Sequence, residues 1–145
     1  MEIVKKKFLI FLFPLLSCSD LGFYQKSLNL FAEDFEAANT SENLTKMLGL
    51  YALEGMDPKD LSILKTALSF ELGIPIKCIH FERLNGAPEE TIDFHHNGLP
   101  YQSSITPIYK MIVAYQTEEL FTSRFTIGKD LDNKWKIITA IPSKK

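Results

Sequence analysis

The sequence predicts an α+β fold, with N-terminal helices packed on a curled antiparallel sheet of four to five strands. Three observations predict it. As far as Leu72, apolar residues recur at steps of three and four. From Ile76 onward the spacing changes to every second residue, as half-buried strands require. The dipeptides Asn85-Gly86, Asn97-Gly98 and Asp132-Asn133 punctuate the alternating runs where tight turns belong. Helices followed by strands, rather than interleaved with them, imply helices segregated against one side of an antiparallel sheet.

The first helical stripe is Leu21, Tyr24, Leu28, Phe31 and Phe35, with Glu33, Asp34 and Glu36 around the other side. A second helix is expected from Ser41 as N-cap, through Leu44, Met47, Leu48 and Tyr51, to an end near Gly55. The third has the clearest start. Asp57 is placed to cap, Pro58 suits the first turn and Asp60 favours the helix dipole. Its stripe is Leu61, Leu64, Leu68 and Leu72, and Gly73 with Pro75 ends it.

Strands are expected at 76–84 and 91–96, then at 108–116, 121–128 and 135–141. Tyr109, Met111, Val113 and Tyr115 fall in one phase, as do Phe121, Ser123, Phe125 and Ile127. Trp135, Ile137, Thr139 and Ile141 form a third such set. These apolar phases are expected to meet the helical stripes, with Arg124 in the opposite phase facing water.

Helices followed by a curling antiparallel sheet resemble the nuclear-transport-factor-two-like and SnoaL-like cone, a cystatin-like fold. The similarity rests on Leu50–Asp57 (LYALEGMD), on the Asn97-Gly98-Leu99-Pro100-Tyr101 turn and on Gly128 with Trp135-Lys136-Ile137. One feature departs from the family: many members place a strand between early helices, and none is evident here. The resemblance carries over no catalytic residue, because members differ in theirs.

The N-terminus tells its own story. Lys5, Lys6 and Lys7 precede Phe8–Leu16, a run without a polar side chain, which is the layout of a secretory signal. The run is far shorter than the roughly 20 apolar residues a membrane-spanning helix needs. Leu15-Leu16-Ser17-Cys18 resembles the lipobox of bacterial lipoproteins, which implies that Cys18 becomes the acylated first residue of the mature chain, carrying a palmitate-type anchor. The expected division is therefore a signal peptide over 1–17 and one exported domain over 18–145. A eukaryotic source would remove the lipidation and make Asn39-Thr40-Ser41 and Asn43-Leu44-Thr45 glycosylation acceptors. If Cys18 carries lipid, Cys78 is alone and expected to be buried on its strand. An unmodified Cys18 would instead leave a Cys18–Cys78 bridge.

The chain of 145 residues has net charge −2. Residues 1–17 take three lysines and one glutamate with them, which leaves the mature domain near −4. That balance supplies no clustered basic face, so nucleic acid is not an expected partner. Neither a phosphate-binding glycine loop, Gly-x-Ser-x-Gly, His-Glu-x-x-His nor Cys-x-x-Cys occurs, and no cofactor or metal is expected.

Three histidines are the candidates for near-neutral proton chemistry. His95 and His96 are adjacent on a strand and point to opposite faces, so they do not share a metal. Asp93 and His95 lie on one face and are the candidate acid/base pair, although a solvated strand end explains them as well. His80 shares its strand phase with Cys78 without enough further ligands for a metal site. Tyr109, Phe125 and Trp135 are the candidate pocket-lining aromatics, with sheet core as the plainer reading. The expected function is an envelope protein anchored to the membrane by lipid at Cys18, binding a small ligand or a protein partner. The alternative is a cone-fold isomerase or cyclase using His95 with Asp93.

Overall fold

A computed structural model describes residues 24–144. The predicted signal, the lipobox and Leu21 lie outside the described residues. The architecture is α+β: three helices, then antiparallel sheets of four and three strands. Helix α1 (Gln25–Thr40) buries Leu28, Phe31 and Phe35, the stripe read from its sequence. Helix α2 (Leu44–Leu48) is a single short turn and a half, and its N-cap is Asn43 rather than Ser41. Asn43 wins because its side-chain oxygen accepts from Lys46 N at 2.9 Å. Ser41 instead closes α1, its hydroxyl donating to the Ala37 carbonyl at 2.7 Å. Helix α3 (Pro58–Glu71) starts as its sequence dictates, with Asp57 accepting from Lys59 N at 2.8 Å and Pro58 in the first turn.

The larger sheet has the order β1-β4-β5-β6 and comprises β1 (Ile76–Arg83), β4 (Tyr109–Tyr115), β5 (Thr122–Lys129) and β6 (Trp135–Ile137). The smaller one orders β2-β3-β7, from β2 (Asp93–His96), β3 (Leu99–Ser103) and β7 (Ala140–Pro142). Register sets the core. Phe81 pairs Met111, which pairs Phe125; Tyr109 pairs Ile127, which pairs Ile137. Met111, Val113 and Ile127 are fully buried, and with Leu28, Phe31 and Phe35 of α1 they form one continuous apolar cluster. Phe125 meets Phe35 directly, ring centres 5.7 Å apart. The predicted apolar phase therefore meets the helices at Phe125 and Ile127, whereas Phe121, just before β5, is exposed; Arg124 is exposed, as its phase predicts.

Four local expectations are corrected. Asn85-Gly86 does not join two neighbouring strands of one sheet, because β1 pairs with β4. Strand β3 stands where the sequence pattern shows only a turn; it pairs with β2 across Asn97-Gly98, whose residues both take positive φ (51° and 75°). The run 135–141 is two strands in different sheets, not one. At the break, Ile138 N donates to Thr126 O, while Thr139 N donates to Ser104 Oγ and the Thr139 hydroxyl to Ala52 O. Finally, a strand-like piece does lie between the early helices. Tyr51 bridges Ile137 in parallel, with Ala52 N donating to Ile137 O at 2.8 Å and Ile137 N to Leu50 O at 2.7 Å.

Long-range polar contacts fix the helices to each other. Asn39, buried at the end of α1, donates through its amide to Ile74 O at 2.8 Å, and its side-chain oxygen accepts from Gly73 N at 3.3 Å. That pairs the chain leaving α3 with the end of α1 and starts β1 in register. Cys78 is not the lone buried thiol expected: it is partly exposed on β1 and disulfide-bonded. The chain has one other cysteine, Cys18, which lies outside the described residues. Among the described residues no helix is long and apolar enough to cross a membrane.

Candidate functional site

Strand β5 is longer than its partner β6. Pairing covers Ile127, Gly128 and Lys129 and ends there, because β6 turns away after Ile137 toward the smaller sheet. Beside Arg124 and Phe125 this edge of β5 consequently has no strand partner among the described residues, and a hollow of about 300 Å³ opens against it. Helix α3 forms one wall with Leu64, Ala67, Leu68 and Glu71; Tyr51 and Ile137 close the inner end. The segment after β1 supplies Glu89 and Ile92 at the far rim.

The hollow combines an apolar wall with ionisable groups in unequal environments. Glu71 is the last residue of α3, partly buried, and burial pushes its carboxyl above the usual range. The Tyr51 phenol is 7% exposed and pushed up strongly, chiefly by burial and then by the nearby Glu71 and Tyr115. Tyr115 is raised mainly by burial as well. Neither Glu71 nor Arg124 has an ion pair among the described residues.

Glu90 behaves differently. It is 4% exposed, yet its carboxylate accepts from Asn85 N at 3.0 Å and Gly86 N at 2.7 Å, and Lys110 Nζ lies 3.1 Å away. The Asn85 N–H foremost, with Lys110 and Gly86, holds this carboxyl below its ordinary range against the opposing effect of burial. Here lies the purpose of Asn85-Gly86: with Gly86 at φ 84°, two successive N–H groups converge on one carboxylate. A depressed pKa means that ionised Glu90 stabilises the fold above the ordinary carboxyl value of 4.5, and that this contribution is lost as pH falls through the lower folded value. Glu90→Gln is therefore expected to melt several degrees below wild type at pH 7, with the gap closing under acid; thermal melts between pH 7 and 3 check it.

Asp93 and His95 are exposed on β2, opposite Gln102 and Pro100, and no hydrogen bond or ion pair joins them. Their strand is held from the other side, where Phe94 stacks on Tyr101 at 5.1 Å and the Tyr101 hydroxyl donates to Asp60 Oδ2 at 3.1 Å. His96 meets Tyr101 edge-on at 6.3 Å. Alanine at Asp93, His95 or His96 is expected to change stability by less than about 0.5 kcal/mol, as at ordinary surface positions, and chemical denaturation of the three variants checks it. Of the three aromatics, Phe125 lines the hollow. Tyr109 and Trp135 are both 7% exposed and pack with Tyr24, at 6.2 and 5.5 Å from it, and the ammonium of Lys129 lies over the Tyr24 and Trp135 rings.

Tyr51, Glu71 and Arg124 come from three separate segments, and no spacing in the sequence links them. A larger recess of about 810 Å³ lies on the other side of Tyr51, bounded by Leu53, Thr106, Lys129, Asp130, Lys136 and Lys144 among others. Tyr51, Leu53, Ile105, Leu131 and Ile141 give it apolar lining as well, and it carries more charged side chains than the hollow at β5: Glu54, Lys129, Asp130, Asp132, Lys136 and Lys144. Among the described residues no group of three His, Cys, Asp or Glu side chains is arranged to hold a metal ion. Neither a protein-family model nor a curated protein matches the chain.

Proposed function

We propose that this is an exported envelope protein, anchored by lipid where Cys18 is acylated rather than paired with Cys78, whose domain binds a small ligand in the hollow between α3 and the open edge of β5. The lipobox-like Leu15–Cys18 supports the anchor. The observation that carries the binding reading is the hollow itself: Leu64, Leu68 and Phe125 give it an apolar lining, and the α3 wall ends in a partly buried carboxylate, Glu71, that has no ion pair among the described residues. Concave apolar sites with a few converging polar groups are where small molecules bind.

A thermal-shift screen of mixed small molecules tests it. Ala67, exposed on α3 and lining the hollow, gives the control: Ala67→Phe fills the space without replacing a core residue. Hits that disappear in this variant support the reading. A screen without hits, together with a protein that co-purifies from membranes, would move the function to partner binding.

One observation favours a second reading of the anchor. Cys78 is disulfide-bonded and Cys18 is its one available intramolecular partner, so an unacylated exported domain stapled by Cys18–Cys78 is the competing form. The two fates of the Cys18 sulfur exclude each other, because a thioether-linked lipid leaves no thiol to oxidise.

A further inference from the structure

We infer that the hollow at β5 selects a small organic ammonium with an apolar body, its charge held by Glu71 and its body by Leu64, Leu68 and Phe125; this rests on the hollow being a binding site. The charges lining it are Glu71, Glu89, Glu90 and Arg124. Glu90 is already neutralised by Lys110. Arg124 and Glu89 are both exposed and of opposite sign, which leaves Glu71 as the partly buried charge of the hollow that has no ion pair among the described residues.

Glu71 is placed where a carboxylate is least comfortable. It ends α3, where the helix dipole is negative, and no basic residue occupies that last turn. It is partly withdrawn from water and faces two phenols, Tyr51 and Tyr115, that burial keeps neutral. A bound cation relieves all of these costs together, whereas an anion adds to them. The apolar lining of Leu64, Leu68 and Phe125 suits an ammonium carried on an apolar body, through burial of that body. An inorganic divalent ion fits poorly, because no third ligand converges with Glu71 and Glu89 among the described residues. The volume of about 300 Å³ limits the ligand to roughly the size of one amino-acid side chain plus its amine.

Three probes of one shape separate charge from hydrophobic fit: phenethylammonium chloride, neutral 2-phenylethanol and 3-phenylpropionate. Titrated into the protein and followed by calorimetry or by amide chemical shifts, the ammonium is expected to bind about tenfold or more tighter than either of the others, the range of a charge-assisted hydrogen bond. Glu71→Gln is expected to erase that preference, with a melting temperature at or above wild type, since an uncompensated charge is removed. Equal binding of 2-phenylethanol, or a Glu71→Gln variant that keeps the preference, would overturn the charge assignment; if Ala67→Phe still abolishes binding, the hollow remains a ligand site. Failure of all three probes would overturn the ammonium assignment, and a void screen beside it would remove the hollow reading as well.

Discussion

Trp135→Ala is expected to destabilise the domain by about 3–5 kcal/mol, the range for removing a buried indole. Trp135 opens β6 and is buried where that strand meets α1. Its Nε1–H donates to Ser27 Oγ at 2.9 Å, its ring meets Tyr24 edge-on at 5.5 Å, and Lys129 Nζ lies 4.9 Å from its centre. Truncation opens a cavity and leaves Lys129 without one of the two rings beneath it. Domains of this size are stable by about 5–15 kcal/mol, so the loss is a large share of the total. Trp135→Phe separates the parts: it keeps most of the apolar packing and should cost about 1–2 kcal/mol, from the lost hydrogen bond and the smaller ring. Urea denaturation of the two variants measures both. A Trp135→Ala variant within about 1 kcal/mol of wild type would mean that α1 is not docked on the sheet as described.

Gly128→Ala is the second large effect, and it acts through the backbone. Gly128 is buried on β5, paired with Lys136, and the Thr106 carbonyl oxygen occupies the place where a Cβ would stand. A main-chain atom cannot swing aside as a long side chain does, so either β5 or the Ile105–Pro107 segment must move. Its φ lies outside the left-handed region, so the penalty is one of space rather than of conformation. Overpacking of this kind costs about 1–3 kcal/mol, and a backbone obstacle puts this position at the upper end. Thermal melts of Gly128→Ala beside Gly98→Ala make the comparison informative. Gly98 has φ 75° and nothing within contact range, so its penalty is one of turn conformation alone. A Gly128→Ala variant as stable as wild type would show that Thr106 is not held against β5.

What the sequence reveals depends on how local the physics is. Helix α3 is legible almost completely, because Asp57 and Pro58 act within one turn and the leucine stripe repeats at helical spacing. The core phases of β4 and β5 are legible for the same reason, since alternation is a property of each strand alone. Pairing is another matter. Thr139 continues the alternation of Trp135 and Ile137 without interruption, and the break at that point depends on Ser104 and Ala52, 35 and 87 positions away. Asn85-Gly86 looks like any hairpin turn until Glu90 is found folded beneath it, and Glu89-Glu90 reads in sequence as a solvated acidic pair. The hollow is the least legible feature. It exists because β6 is shorter than β5 and turns away, a fact about two strands and their divergence that no single segment contains. The aromatics most conspicuous in sequence, Tyr109 and Trp135, are core instead.

The anchor is tested most directly by the mass of the mature protein, extracted with detergent from the membrane fraction of cells that make it and measured intact without reduction. Acylation at Cys18 predicts a chain that begins at that residue, carries the added mass of fatty acyl groups on its N-terminal peptide and partitions into detergent. A Cys18→Ala variant should then lose the lipid and the membrane association while its domain still folds. A mature chain of unmodified mass, short by the two hydrogens of a Cys18–Cys78 disulfide and recovered in the soluble exported fraction, would contradict it.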